Sequence, residues 1–330
     1  MSRLAFRDFR LWLLACALVL VLAALIVPRV TLTRDAFDVL AVLDITTSMN
    51  TRDVPAGEAP ESRLAASKAA LQAMLLRMPC KSRMGLAIFT ERQSFLLFDP
   101  VEVCDNFAAI EDAIDTIEWR MAWAGDSFIS RGIYSAVDIA KSLNADLVFF
   151  TDGHEMPPLP YNGLPPFEGE RGEVGGVIVG VGAYTHTPLT KYDDNGREIG
   201  TYDEQEVPQE NRAGPPPPDA ESRPGYHPKW APFGNEVINT NQHMAFVRED
   251  YLKEISTATG LAYVHLDSTQ TDLLQPFANA AHPRPLQVAS DVRAVPGSIA
   301  LALLGLLYLF SAGADLRARR NPSSIASTSV

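Results

Sequence analysis

The chain has 330 residues, 47% of them hydrophobic and 21% charged, which excludes wholesale disorder. Its formal net charge of −12 argues against a nucleic-acid binder, which needs a basic face. The length allows one large domain or two small ones.

The first element is an uncharged run, residues 11–28 (LWLLACALVLVLAALIVP). About 18 residues rising about 1.5 Å each reach roughly 27 Å, close to the hydrocarbon thickness of a bilayer. The run is longer than the apolar region of a signal peptide, and no small-x-small cleavage site follows it. It is expected to be an uncleaved transmembrane helix. Residues 37–44 (FDVLAVLD) form a near-continuous apolar run ending in Asp44, the pattern of a strand buried on both faces. Helical spacing follows over 62–78. The strand-like runs 84–90 and 94–101 flank Glu91-Arg92-Gln93, a hairpin signal. Helices are expected over 106–117 and 128–143, and a second buried strand over 145–151, ending at Asp152-Gly153. A third strand covers 174–182 (VGGVIVGVG).

Residues 184–235 break the pattern. They are rich in Pro, Gly and acids, include Pro215-Pro216-Pro217-Pro218, and show no apolar period, so they read as a long insertion or lid. Within them Asp193-Asp194-Asn195-Gly196 reads as a tight turn, because no bidentate Glu follows at the spacing of a Ca2+ loop. A helix over 249–259, a strand over 261–266 and a helix over 270–280 complete the series. Alternating strands and helices imply an α/β domain with a mostly parallel sheet, whose ligands bind beyond the carboxyl ends of the strands.

The last element is a second uncharged run, residues 297–313, expected to be a second transmembrane helix. Arg3, Arg7 and Arg10 precede the first run, and Arg317, Arg319 and Arg320 follow the second. Positive residues stay in the cytoplasm, so the tails 1–10 and 314–330 are expected there, in a bacterial inner membrane. Residues 29–296 then form one periplasmic domain. Each tail carries +2, which leaves −16 between them, a charge suited to cations or basic surfaces. Cys16 lies in the first run. Cys80 and Cys104 form an even pair in an oxidising compartment, and each lies 12 positions from Arg92 at the hairpin turn. Antiparallel pairing would oppose them, which predicts a Cys80–Cys104 disulfide.

Three short pieces carry chemistry. Asp44 at a strand end is followed by hydroxyls at Thr46 and Ser48. Asp152 stands at another strand end. Ser127 follows Gly125-Asp126 and precedes a helix, as an N-cap would. Two carboxylates and several hydroxyls form a hard-oxygen set, suited to Mg2+ first and to Ca2+ or Mn2+ as alternatives. His154 and Glu155 read as a solvated loop beside this set, with partner contact as the alternative, and Trp119 and Trp123 as core packing around the turn before Ser127, with exposed anchors as the alternative. No G-x-S-x-G, H-E-x-x-H or phosphate-loop motif occurs, and the six histidines lack ligand spacing. No enzyme is expected.

In this order the pieces resemble the von Willebrand factor A domain with its metal-ion-dependent adhesion site. Asp44, Thr46 and Ser48 match its D-x-S-x-S element, with Thr for the first Ser. Ser127 stands for its loop Thr, and Asp152 matches the Asp of its T-D-G turn. The resemblance covers about 36–280 apart from the insertion. It implies a Rossmann-like fold and a cation with one position left open for a carboxylate from a partner. The segments LAIFTERQSFLLFDPVEVC, RMAWAGDS and LVFFTDGHEMPPL, with the two flanking runs, resemble the MxaL-type membrane proteins of methanol-oxidation gene clusters. That resemblance implies maturation of a periplasmic quinoprotein methanol dehydrogenase through insertion of its Ca2+. It also implies a cytoplasmic AAA+ ATPase partner of the MoxR type. Two rivals are a component of a Bat-type envelope stress or aerotolerance complex and a hydrolase using the cation as Lewis acid. The second lacks a positioned base.

Overall fold

The computed structural model describes residues 9–26, 29–56, 59–235, 238–266 and 272–320. Residues 1–8 and 321–330 of the expected tails, and 27–28 of the first apolar run, lie outside the described residues. The chain divides into two compact units, 35–284 and the two ends 1–34 with 285–330.

The larger unit is built on a six-stranded sheet. Its strands are β2 (Asp38–Asp44), β3 (Arg83–Thr90), β4 (Gln93–Glu102), β5 (Asp146–Thr151), β6 (Gly176–Val181) and β7 (Ala262–Leu266), which follow β1 (Arg29–Ala36) in the chain. They lie side by side in the order β7-β6-β5-β2-β3-β4. All neighbours are parallel except the β3–β4 hairpin, so the expected mostly parallel α/β sheet is present. β2 is central and its side chains alternate between two cores. Val39, Ala41 and Leu43 pack towards α2 (Arg63–Arg77), α3 (Phe107–Thr116) and α6 (Leu274–Ala280). Leu40 and Val42 pack towards α4 (Ile129–Leu143) and α5 (Glu249–Thr259). Burial on both faces is why the strand carries no polar alternation.

Local chemistry sets the helix ends. Ser62 caps α2 by accepting a hydrogen bond from the Ala65 N–H at 3.2 Å. α4 stops at Asn144, with φ of 50°, and α5 at Gly260, with φ of 89°; both are left-handed C-terminal residues. At the far end of the hairpin Cys80 and Cys104 form a disulfide with a Cα–Cα distance of 5.3 Å, as the hairpin symmetry predicts.

The insertion is organised by short pairings. Thr190–Tyr192 pairs with Glu198–Thr201, and Thr187–Pro188 pairs with Met244–Ala245. The tight turn read at 193–196 is present, with the Asp193 carboxylate accepting from the N–H of Asn195 and of Arg197 at 2.9 and 2.8 Å.

The smaller unit contains α1 (Phe9–Ile26) and α7 (Ala294–Arg320), which pack together through Phe9 and Phe310. β1 and β8 (Arg284–Asp291) pair as a two-stranded sheet. Helix α1 is long and apolar enough to cross a membrane. The second apolar run lies in α7, where the apolar stretch Ala294–Phe310 is shorter than a full span.

Candidate metal centre

The carboxyl ends of the adjacent parallel strands β2 and β5 bring the first two pieces together. Leu43 pairs with Phe150, so Asp44 lies beside Thr151, with Asp152 the next residue along. The Asp44 carboxylate is fully buried. Its Oδ1 accepts from the Thr46 N–H at 2.9 Å and the Thr46 hydroxyl at 2.7 Å, and its Oδ2 accepts from the Thr151 hydroxyl at 2.7 Å. The Thr46 and Ser48 hydroxyls lie 3.5 Å apart. Ser127 arrives from the loop before α4 and is pinned by two backbone hydrogen bonds with Met156, of 2.7 and 2.8 Å. Thr46, Ser48 and Ser127 all line one cavity of about 270 Å3.

Ser127 is not the helix cap its position suggests. Phe128 occupies the cap position, and the first turn of α4 is served by Glu155, whose Oε1 accepts from the Ser130 N–H at 3.1 Å and the Ser130 hydroxyl at 3.2 Å. The Ser127 hydroxyl is thereby left buried without a hydrogen-bond partner. An orphaned buried hydroxyl is costly, and a ligand that takes its lone pair removes the cost. The donor set therefore fits a hard divalent cation: hydroxyls at Thr46, Ser48 and Ser127, and the Asp44 carboxylate directly behind Thr46. Among the described residues no cluster of three or more His, Cys, Asp or Glu is placed to hold a metal. Any site here depends on hydroxyls.

Asp152 is also buried, and like Asp44 it accepts hydrogen bonds on both oxygens. Oδ1 accepts from the His154 N–H at 2.9 Å, and Oδ2 receives a short contact from Arg63. Arg63, the first residue of α2, is fully buried and grips Asp53 as well, with Nε 2.9 Å from Oδ1. Gly182 makes room for it. A Cβ at this position, whose φ is 117°, would lie 2.4 Å from the Arg63 Nε. Arg63 and Asp53 carry no signal in the sequence, where they read as an ordinary helix start and a loop acid.

The electrostatics match this arrangement. Burial, reinforced by the negative charge of Asp152, pushes the Asp44 carboxyl up to about 7. Burial pushes His154 down to about 4 and raises Glu155. The reading of His154 and Glu155 as a solvated loop is corrected, since both are buried. Glu155 is drawn inward to serve α4 and to accept from the Tyr251 hydroxyl. Of the two tryptophans, Trp119 packs on Tyr192 with ring centroids 4.6 Å apart. Trp123 is 59% exposed, contrary to expectation, and lies edge-on to Phe95 while donating to Glu91 at 3.1 Å. The insertion supplies Leu189, Tyr202 and Val207 to the wall of the same cavity.

Residues 39–154 match the von Willebrand factor type A domain family. No curated protein matches the chain. Among solved structures it is similar to BatB from Bacteroides thetaiotaomicron, at 15% identity and a TM-score of 0.45, over 74% of this chain and 98% of that one. It is similar to an aerotolerance-related membrane protein from Bacteroides fragilis at 15% identity and a TM-score of 0.42, over the same shares. A membrane-spanning protein from Vibrio fischeri aligns at 16% identity and a TM-score of 0.27, over 71% of this chain and 94% of that one. Residues 39–154 are thus similar to the von Willebrand factor type A domain, on a polypeptide whose first described helix is long and apolar enough to cross a membrane.

Proposed function

We propose that this protein is a membrane-anchored docking factor whose von Willebrand factor type A domain captures a partner through a divalent cation, Mg2+ first. Asp44, Thr46, Ser48 and Ser127 hold the cation, and Asp152, itself held by Arg63, adds its charge. When bound, the cation supplies an electrophilic position that takes a carboxylate from the partner. The observation that carries this reading is the buried, partnerless Ser127 hydroxyl on the same cavity as Thr46 and Ser48. The chain is read as a non-enzyme, since a docking device needs no general base. Residues 297–313 are taken as a second span, with both tails cytoplasmic and the domain periplasmic.

The resemblance to MxaL-type proteins assigns the docking to maturation of a periplasmic quinoprotein methanol dehydrogenase, with a MoxR-type ATPase on the cytoplasmic side. The Bat-type reading gives the same site to an envelope stress complex, and the captured partner decides between them. The test uses the full chain in detergent. Mn2+ should bind one site, and immobilised protein should retain an acidic periplasmic partner in Mg2+ and release it in chelator. Asp44→Ala should abolish both while unfolding stays cooperative, because the carboxylate sits at a strand end rather than among apolar side chains. Full capture by Asp44→Ala in chelator overturns the docking mechanism.

A further inference from the structure

We propose that Arg63 is an internal counter-charge of the metal centre, one that weakens cation binding and strengthens uptake of the partner's carboxylate. The proposal rests on the metal-docking reading above and deepens it.

A guanidinium with no exposed surface is unusual, and this one is shared between two carboxylates. Its grip on Asp53 uses both oxygens of that carboxylate, and its remaining nitrogen Nη1 reaches Asp152 Oδ2. Asp152 Oδ1 is taken by the His154 N–H. Asp152 therefore meets the cation with its charge shared, one oxygen held by Arg63 and the other by the His154 N–H. Its charge already acts on Asp44.

The charge count gives the consequence. Asp44, Asp53 and Asp152 with Arg63 and the neighbouring Arg248 sum to −1 when all are ionised, so a bound divalent cation leaves a net positive charge for an incoming carboxylate. Without Arg63 the same groups would sum to −2. They would hold the cation more tightly and offer the incoming carboxylate no net charge. Gly182 shows that the fold is built around this arginine, since any larger residue would occupy its space.

Two substitutions should move in opposite directions. Arg63→Gln removes the counter-charge, and Mn2+ affinity of the full chain in detergent should rise about tenfold while glutarate binding to the Mn2+-loaded protein falls. Asp53→Asn leaves Arg63 wholly to Asp152, so Mn2+ affinity should fall about tenfold and glutarate binding should rise. Arg63→Gln leaves two buried acids unpaired and can fail to fold. The double variant Asp53→Asn/Arg63→Gln restores the wild-type count and should bind Mn2+ much as the wild type does. Electron paramagnetic resonance reads Mn2+ directly. Equal or same-direction shifts in the folded variants, or a double variant as far from wild type as Asp53→Asn, overturn the role of Arg63. A wild type that takes up no Mn2+ overturns the metal reading itself, and this one with it.

Discussion

Strand β2 has an aspartate at each end, and the two are treated in opposite ways. Asp38, at the start, is partly buried, which alone would raise its pKa. Arg83 and Arg284 nevertheless hold it below the usual carboxylate range. Arg83 donates from Nε at 2.9 Å and Nη2 at 2.6 Å, and Arg284 from Nε at 3.2 Å and Nη2 at 3.0 Å. Asp44, six residues on, has hydroxyls and an amide for partners and a second carboxylate as its nearest charge. Its pKa rises instead. The neighbouring strand repeats the contrast in part. Asp146, at the start of β5, accepts from the Gly175 N–H at 2.9 Å and lies 2.9 Å from the His282 Nδ1, whereas Asp152 past its other end raises Asp44. One end of the sheet has its charges paired and closed. The other end carries anionic and hydroxyl oxygens in excess of cations, which is a poor way to stabilise a fold and a good way to wait for a metal.

Damage at the closed end should cost stability and spare cation binding. The largest effect is expected from Cys80→Ser/Cys104→Ser. The disulfide spans a sequence separation of 24 and lies near the Asp38 end. Its loss should cost roughly 3 kcal/mol in denaturant unfolding of the larger unit, with Mn2+ affinity unchanged. A several-fold change in affinity would show that the two ends are coupled. Next in size is Asp38→Asn, which removes the acceptor of two arginines. Both arginines are more than a third exposed, so solvent screening reduces the effect to about 1 kcal/mol. The sign of its pH dependence follows from the lowered pKa. The contribution is present above the ordinary value of 3.8 and is lost as pH falls through the lower folded value. Wild type should therefore converge on Asp38→Asn in acid, and a gap that does not narrow as pH falls below 3.8 would break the assignment.

Much of this is legible in the sequence. The apolar runs ending in Asp44 and Asp152 locate both central strands, because a strand buried on two faces leaves no other pattern. The hairpin arithmetic for Cys80 and Cys104 survived two irregularities in the β3–β4 pairing, near Met84, Leu86 and Ala87. Both cysteines lie in turns beyond the paired residues, where a shift of one position is absorbed. Arg63 was not legible. An arginine opening an amphipathic helix is normally solvated, and only the approach of Asp53, Asp152 and Gly182 from three other segments buries it. Glu155 was missed for the same reason, since its partners Ser130 and Tyr251 are 25 and 96 residues away in sequence. The insertion has no apolar period because it is held by short pairings and lines a cavity wall rather than filling a core.

The smallest effect separates the two ends most cleanly, because its sign is reversed. Asp44→Asn keeps an acceptor oxygen for the Thr46 N–H and hydroxyl, and the Thr151 hydroxyl can accept from the new amide in place of donating. It removes one of two buried carboxylates that repel each other and that nothing at Asp44 itself compensates. In chelator at neutral pH the variant should therefore unfold at equal or higher denaturant than wild type, by a gain of roughly 0.5 kcal/mol, whereas Asp38→Asn unfolds earlier. Addition of Mn2+ should stabilise wild type through binding to the native state alone and leave Asp44→Asn unmoved, so the order of the two proteins inverts with the metal. A loss of stability in chelator comparable to that of Asp38→Asn would show that Asp44 is as much an anchor as Asp38. The carboxyl end of the sheet would then have to be read as closed structure and not as a site.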